Sequence, residues 1–281
     1  MSRAALASAA VIAVIGALAL FAPAIAPFDP LEQNLANNYA GPSVGHPFGT
    51  DDLGRDIWSR LLFGARLSLG IAFASVGLAL LAGTLVGLLS AYHGGIVDAA
   101  LMRAMDVLLA FPGILLGIAV VVVLGNGVEN TAIAVAVMST PTFARLARGS
   151  ALSILERDHV AASRALGASA ARVIFGQVLP NALTPLVVAS TLQLGTAILI
   201  ASGLSFLGLG VQPPHPEWGA MLSKGRELVR ATPVAAFAPG FFITVLVLSF
   251  SLLGDGLRDA LDPKHRAVGR RLFGSPTVKS G

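Results

Sequence analysis

Residues able to do chemistry are few in this sequence, and they do not cluster. Five histidines stand at positions 46, 93, 159, 215 and 265. No two share the spacing that lets neighbouring ligands grip one metal ion, so no metal centre is expected. There is no cysteine, which removes disulfides, thiolate metal sites and a sulfur nucleophile. No Gly-x-x-x-x-Gly-Lys-Ser/Thr run occurs, so nothing cradles a nucleotide phosphate. Neither enzymatic activity nor a resident cofactor is expected.

The run from Ala151 to Pro180 has the makings of a contact device instead. Ala151 to Leu166 suits a helix, with Asp158 placed to cap it from within. Gly167 can take the left-handed conformation that stops a helix, and Ser169 can cap the next, which is expected to run to Pro180. Ala161, Ala162 and Ala165 leave a shallow apolar surface, rimmed by Arg157 and Arg164. Such a knob suits a cleft in a partner protein. An interfacial helix lying on lipid would want bulkier anchors.

The elements that must carry this knob are membrane helices. The 281 residues are 55% hydrophobic and 12% charged, with a mean hydropathy of +0.78. A soluble domain carries about twice that charge. A span needs about 20 apolar residues, and six charge-poor stretches offer one: 4–28, 67–91, 107–128, a short 131–144 ending at Arg145, 183–209 and 231–254. Arg3 and Ala24-Ile25-Ala26 mimic a cleaved leader. The length of the apolar run, with Pro23 and Pro27 at the cleavage position, favours a retained helix. With the N-terminus inside, thirteen of the nineteen Lys and Arg fall on the inner side, as the positive-inside rule requires, and both termini are cytoplasmic. The net charge of +4 and pI near 10.1 follow from those loops, so nucleic acid is not an expected partner. Outer loops cover 29–66 and 210–230, and an inner one covers 145–182. Trp58 and Trp218 fall in the outer loops, where an indole suits either the membrane interface or ordinary packing.

Mid-span ionisable residues, the mark of ion-coupled carriers, are essentially missing. Asp106 lies three residues after Arg103 and is expected to pair with it near the inner end of the third span. Gly83 with Gly87, and Gly113 with Gly117, have the spacing that lets helices approach closely. Polar groups within the fifth span are Gln193, Thr196, Ser202 and Ser205. Gln193 suits either a solute path or an interhelical hydrogen bond. Glu129 and Asn130 stand at the outer end, where they could meet a cationic solute or serve as plain loop residues.

Ala161-Ala162-Ser163, Gly167 and Leu179-Pro180 resemble the EAA loop of bacterial ABC importer permeases. Three further blocks match the C-type permease of the dipeptide/oligopeptide/nickel family: His46-Pro-Phe-Gly-Thr-Asp-Asp-Leu-Gly-Arg-Asp56, Leu204-Ser-Phe-Leu-Gly-Leu-Gly-Val-Gln-Pro-Pro214 with Pro216-Glu-Trp-Gly219, and Gly254-Asp-Gly-Leu-Arg-Asp-Ala-Leu-Asp-Pro263. Four blocks in order, over about residues 20–266, make the resemblance specific. The family usually carries Glu where this chain has Ala161. In a helix capped by Asp158 that Glu would complete a capping box, and its absence costs about 0.5–1 kcal/mol. Glu156 or Asp158 stands near enough to substitute.

The resemblance implies an all-α integral membrane protein with the type I importer permease fold. Residues 1–66 would form an N-terminal helix and outer loop, 67–258 the permease core, and 259–281 a basic cytoplasmic tail. It implies a homologous second permease, two ABC ATPase subunits, an extracytoplasmic solute-binding protein and surrounding lipid as partners. Arg157, Asp158, Ala161, Ala162, Arg164 and Gly167 would dock the ATPase. Asp51, Asp52, Arg55, Asp56, Glu217 and Trp218 would face the binding protein. Cargo would be dipeptides or related peptide-like solutes, with oligopeptides, nickel chelates and haem as alternatives. An ion-coupled carrier is the distant one.

Overall fold

A chain in lipid must satisfy every backbone amide internally, and the computed structural model, which describes residues 3–261, is helical apart from its loops and turns. The helices are α1 (Arg3–Leu20), α2 (Ala22–Ile25), α3 (Ile57–His93), α4 (Gly95–Ala110), α5 (Gly113–Leu124), α6 (Val128–Leu155), α7 (Asp158–Ala165), α8 (Ala170–Val173), α9 (Leu179–Phe206), α10 (Trp218–Leu228) and α11 (Val234–Leu261). A π-helical turn, Ile174–Val178, joins α8 to α9. His265 and all but the first three residues of the 259–281 tail lie outside the described residues.

Four runs are long and apolar enough to cross a membrane: α1, α3, α8 through α9, and α11. A fifth candidate, α4 with α5, is bent by 96°. The sequence predicts six spans, and the differences have local causes. The third expected span, 107–128, is broken at Phe111-Pro112, because the residue before a proline is pushed out of the helical region. Beyond the break, α5 has 12 residues, about 18 Å, too short to cross alone. The fourth does not stop at Arg145. It continues as α6 to Leu155 with Pro141 inside it, so the expected inner loop shrinks to 156–169. At 28 residues α6 is long enough to cross but less apolar than the other four. It packs among α3, α5 and α9, and a helix sheltered by protein need not be apolar all round.

The second, fifth and sixth spans also move: α3 begins ten residues before Leu67, α9 ends at Phe206, and α11 reaches Leu261. The helix expected to end at Pro180 does not end there. The π-helical turn leads straight into α9, and Pro180 is its second residue.

The most extensive packing is α3 on α6, followed by α9 on α11 and α1 on α11. Ile71, Phe143, Leu186, Ile198, Leu204 and Leu246 are fully buried between these helices. Leu78, Leu81, Leu85 and Leu89 lie bare along α3, an apolar stripe suited to lipid or to another membrane helix.

Candidate functional site

The inner end of the bundle carries α7. The helix expected over 151–166 is broken at Glu156-Arg157, and Arg157, extended and without a side-chain cap bond, occupies the capping position. Asp158 is the first helical residue, not the cap, and Ala161 is the fourth. A Glu at 161 would therefore not close a capping box here, and the stability penalty expected for its absence does not arise. The other end matches expectation. Gly167 has φ +83°. Its N–H donates to the Arg164 carbonyl, and the Ala168 N–H to the Ser163 carbonyl, the paired bonds of a Schellman stop. Ser169 then accepts from the Arg172 N–H and starts α8.

Only Val160 of α7 is fully buried. Arg157, Asp158, Ala161, Ala162, Arg164, Leu166 and Gly167 are all exposed. The helix is braced from below, where the Arg164 guanidinium lies 4.7 Å over the Tyr92 ring at the end of α3. Gln177, in the π-helical turn, donates to Ser163 Oγ at 2.6 Å. These contacts tie α7 to the end of α3 and to the turn that leads into α9.

Two ion pairs clamp α4 to α6 on the same side. Arg148 donates through Nε and Nη2 to both oxygens of Asp98, at 2.6 and 2.5 Å, and Ser90 Oγ donates to the same carboxylate. Arg145 Nη2 reaches Asp106 Oδ1 at 2.7 Å. The expected Arg103–Asp106 pair does not form. The partner comes from the neighbouring helix, because α6 runs on past Arg145.

Of the four polar residues expected along a path, only Thr196 is exposed. Gln193 donates to Ser139 Oγ at 2.8 Å, an interhelical bond between α9 and α6. Ser202 and Ser205 are buried, and Ser205 Oγ accepts from the Val211 N–H at 3.1 Å.

Most of the outer-loop residues expected to meet a binding protein turn inward. Asp51, Arg55, Asp56, Glu217 and Trp218 are all buried, so this chain uses these side chains internally rather than offering them to a binding protein. Asp51 accepts from the Leu53 and Arg55 N–H groups and pairs with Arg55 Nε at 2.7 Å. Asp56 caps α3 through the Ser59 N–H and meets His46 Nδ1 at 3.0 Å. Asp52 alone of the acidic trio is half-buried. Glu217 caps α10 through the Ala220 N–H at 2.9 Å and accepts from Ser68 Oγ at 3.1 Å. The Trp218 indole N–H donates to the Leu61 carbonyl at 3.0 Å, so its ring sits in the core and not at the interface. Trp58 is half-buried against Phe48. The block 216–219 therefore pins α10 to α3. Glu217→Ala should cost about 1.5–3 kcal/mol, the range for a buried charge-assisted hydrogen bond, read as an earlier thermal melt with red-shifted tryptophan emission.

Sequence reasoning missed Tyr92, Gln177, Ser90 and Asp98. Their only local signal is position at a helix end, and their partners lie on other helices.

Residues 83–267 match the family of binding-protein-dependent transport system inner membrane components, and residues 1–42 match the N-terminal transmembrane domain of oligopeptide transport permease C. The chain is 47% identical over 250 residues to the dipeptide transport system permease protein DppC of Alkalihalophilus pseudofirmus, spanning 89% of this chain and 82% of that one. It is 48% identical over 252 residues to the di/tripeptide permease DppC of Pseudomonas aeruginosa, spanning 88% and 83%. Identity to the glutathione transport system permease protein GsiD of Escherichia coli is 48% over 250 residues, spanning 88% and 82%. Among solved structures, an inward-facing form of the MetNI methionine ABC transporter superposes with a TM-score of 0.59 at 22% identity, over 72% of this chain and 96% of that one, a likeness of fold. The chain belongs to the family of binding-protein-dependent transport system inner membrane components: it is a multi-pass inner-membrane permease subunit of an ABC importer, itself non-enzymatic and dependent on ATPase partners.

Proposed function

We propose that this permease carries dipeptides and similarly small peptides, up to the size of glutathione, inward across the membrane by alternating access. The observation that carries the mechanism is α7, an exposed helix with one buried anchor, braced on α3 and on the turn into α9. An ATPase seated there would move the bundle as its nucleotide state changes. ATP would act only by favouring one arrangement of the helices over the other. A homologous second permease would supply the other half of the pathway, with Thr196 of α9 on the exposed side facing it. Two ATPases would engage the paired inner helices, and a solute-binding protein would deliver cargo from outside. The cargo class rests on the dipeptide, di/tripeptide and glutathione permeases at 47–48% identity.

The test is uptake into proteoliposomes holding both permeases and the ATPases, with binding protein outside and ATP inside. Saturable uptake of a labelled dipeptide, abolished without ATP and competed by glutathione or tripeptide, is the expected result. Uptake driven by a proton gradient in the absence of ATP would overturn the mechanism. ATP-driven uptake of another solute, with no peptide competition, would overturn the cargo.

A further inference from the structure

A guanidinium taken out of water is costly unless its five N–H groups find acceptors. Arg55, just before α3, and Arg60, in its first turn, have side chains only 8% exposed, and both approach Asp51. Arg55 donates through Nε to Asp51 at 2.7 Å, and Arg60 through Nη1 to the Pro30 carbonyl at 2.8 Å. Among the described residues, Arg55 Nη1 and Nη2 and Arg60 Nε and Nη2 make no hydrogen bond. The carboxylates beside them stand off. Asp52 Oδ1 is 3.7 Å from Arg55 Nη2, and Asp51 Oδ2 is 3.6 Å from Arg60 Nε, both beyond hydrogen-bond range. None of these four nitrogens is sealed from solvent.

Both arginines line a cleft of about 180 Å³ between the 51–60 segment, α10 and the start of α11. Ile57, Met221 and Leu228 give it apolar walls, and the exposed Lys224 lines it too. Three cations there face two acids, Asp51 and Asp52. His215, also on the wall, adds no negative charge in either of its states. Glu227 bonds Lys224 at 3.0 Å but is exposed and lies outside the cleft, where water screens it. The cleft therefore holds one positive charge more than its own acids balance, on donors that lack acceptors.

We infer that this cleft is a binding site for a small monocarboxylate with a short aliphatic body. Its two oxygens accept from the free N–H groups of Arg55 and Arg60, the planar match that guanidinium groups offer a carboxylate. Lys224 adds its charge from the solvent side, and the aliphatic body lies on Ile57, Met221 and Leu228. A single negative charge matches the excess in the cleft, and a dianion would overshoot it beside Asp51 and Asp52. The occupant touches the 51–60 segment and α10 together, so binding ties the outer loop to the short outer helix and stabilises the folded chain by mass action.

The experiment titrates butyrate into the assembled transporter in nanodiscs of zwitterionic lipid, at constant ionic strength. Binding is read by saturation-transfer NMR of the butyrate protons and by thermal melting. Butyramide, the same body without the charge, is the control. Saturable butyrate binding that raises the melting temperature, with no such effect of butyramide, is the expected result. Arg60→Gln should weaken binding at least tenfold. Arg60 also holds the Pro30 carbonyl, so Lys224→Gln, an exposed change that spares the fold, is the second variant, and a loss of at least twofold is expected from it. No saturable butyrate signal, equal binding of butyramide, or wild-type affinity in the folded variants would overturn the site. Loss of the butyrate signal on adding anionic phospholipid to the nanodisc would make the occupant a lipid phosphate and overturn the carboxylate assignment.

Discussion

Gly87→Leu is expected to leave little folded permease in the membrane. A Cβ at Gly87 would meet the Ala144 carbonyl oxygen and lie 2.8 Å from Ala147 Cβ, and one at Gly83 would lie 2.6 Å from both Phe143 Cβ and the Thr140 carbonyl oxygen. Two of these obstacles are backbone carbonyls of α6 and two are Cβ atoms fixed to that backbone, and neither kind can swing aside as the end of a side chain can. The two helices would have to separate along the largest contact in the fold. Overpacking costs about 1–3 kcal/mol when side chains can adjust, and occasionally more. With backbone in the way the cost should sit at or above the top of that range. For a chain of this size that is a fall in Tm of roughly 6–12 °C. Gly70, on the same helix, has nothing within 4 Å of where its Cβ would stand, so Gly70→Leu is the control. Thermal unfolding in detergent, followed by tryptophan fluorescence, compares the two. Equal melting temperatures would mean that the α3–α6 approach does not limit stability.

The second large effect is expected at α7. Ala162→Asp sets a bare carboxylate on the exposed knob, and Gly167→Val places a β-branched residue at φ +83°. Left-handed backbone costs an L-residue about 1–2 kcal/mol, enough to shift the Schellman stop and re-aim α7. There is open space around Gly167, so packing is unaffected and the global fold should survive. Transport should fall at least tenfold in each variant. ATP hydrolysis by the assembled transporter should persist but lose its dependence on binding protein and cargo. Tyr92→Ala, which removes the ring under Arg164, should give a milder form of the same uncoupling. Normal coupling in the Ala162 and Gly167 variants would remove α7 from the ATPase contact and leave it a surface helix.

Apolar length is the strongest signal in the chain, because a helix in lipid must be nearly all hydrocarbon on its outside. That signal locates α1, α3, α9 and α11 without reference to anything else. It finds only the first half of α6, 131–144, because the apolar requirement of that helix is relaxed by burial among three other helices. It also fails at Phe111-Pro112, where an unbroken apolar run hides a 96° bend. Caps are legible where the partner is a few residues away, as at Gly167 and Ser169. They mislead at Asp158, because the chain breaks two residues earlier than composition suggests.

The sequence by itself determined that this protein lives in the membrane and that the helix over 158–165 is stopped by a glycine. Those properties depend on transfer of each residue from water and on hydrogen bonds between near neighbours. Only the tertiary structure decided which charges are spent inside the molecule. Asp106 pairs with Arg145, 39 residues away, and Glu217 with Ser68, 149 residues away. Gln193 braces α6 and leaves Thr196 as the exposed polar residue among the four expected to line a path. Of the four acids offered by the motif as partner contacts, Asp51, Asp56 and Glu217 are buried, and the cations of α10, which belong to no motif, remain presented. The physical reason is that a polar group's role depends on what lies within about 3 Å of it, and that is set by helix packing across long stretches of chain.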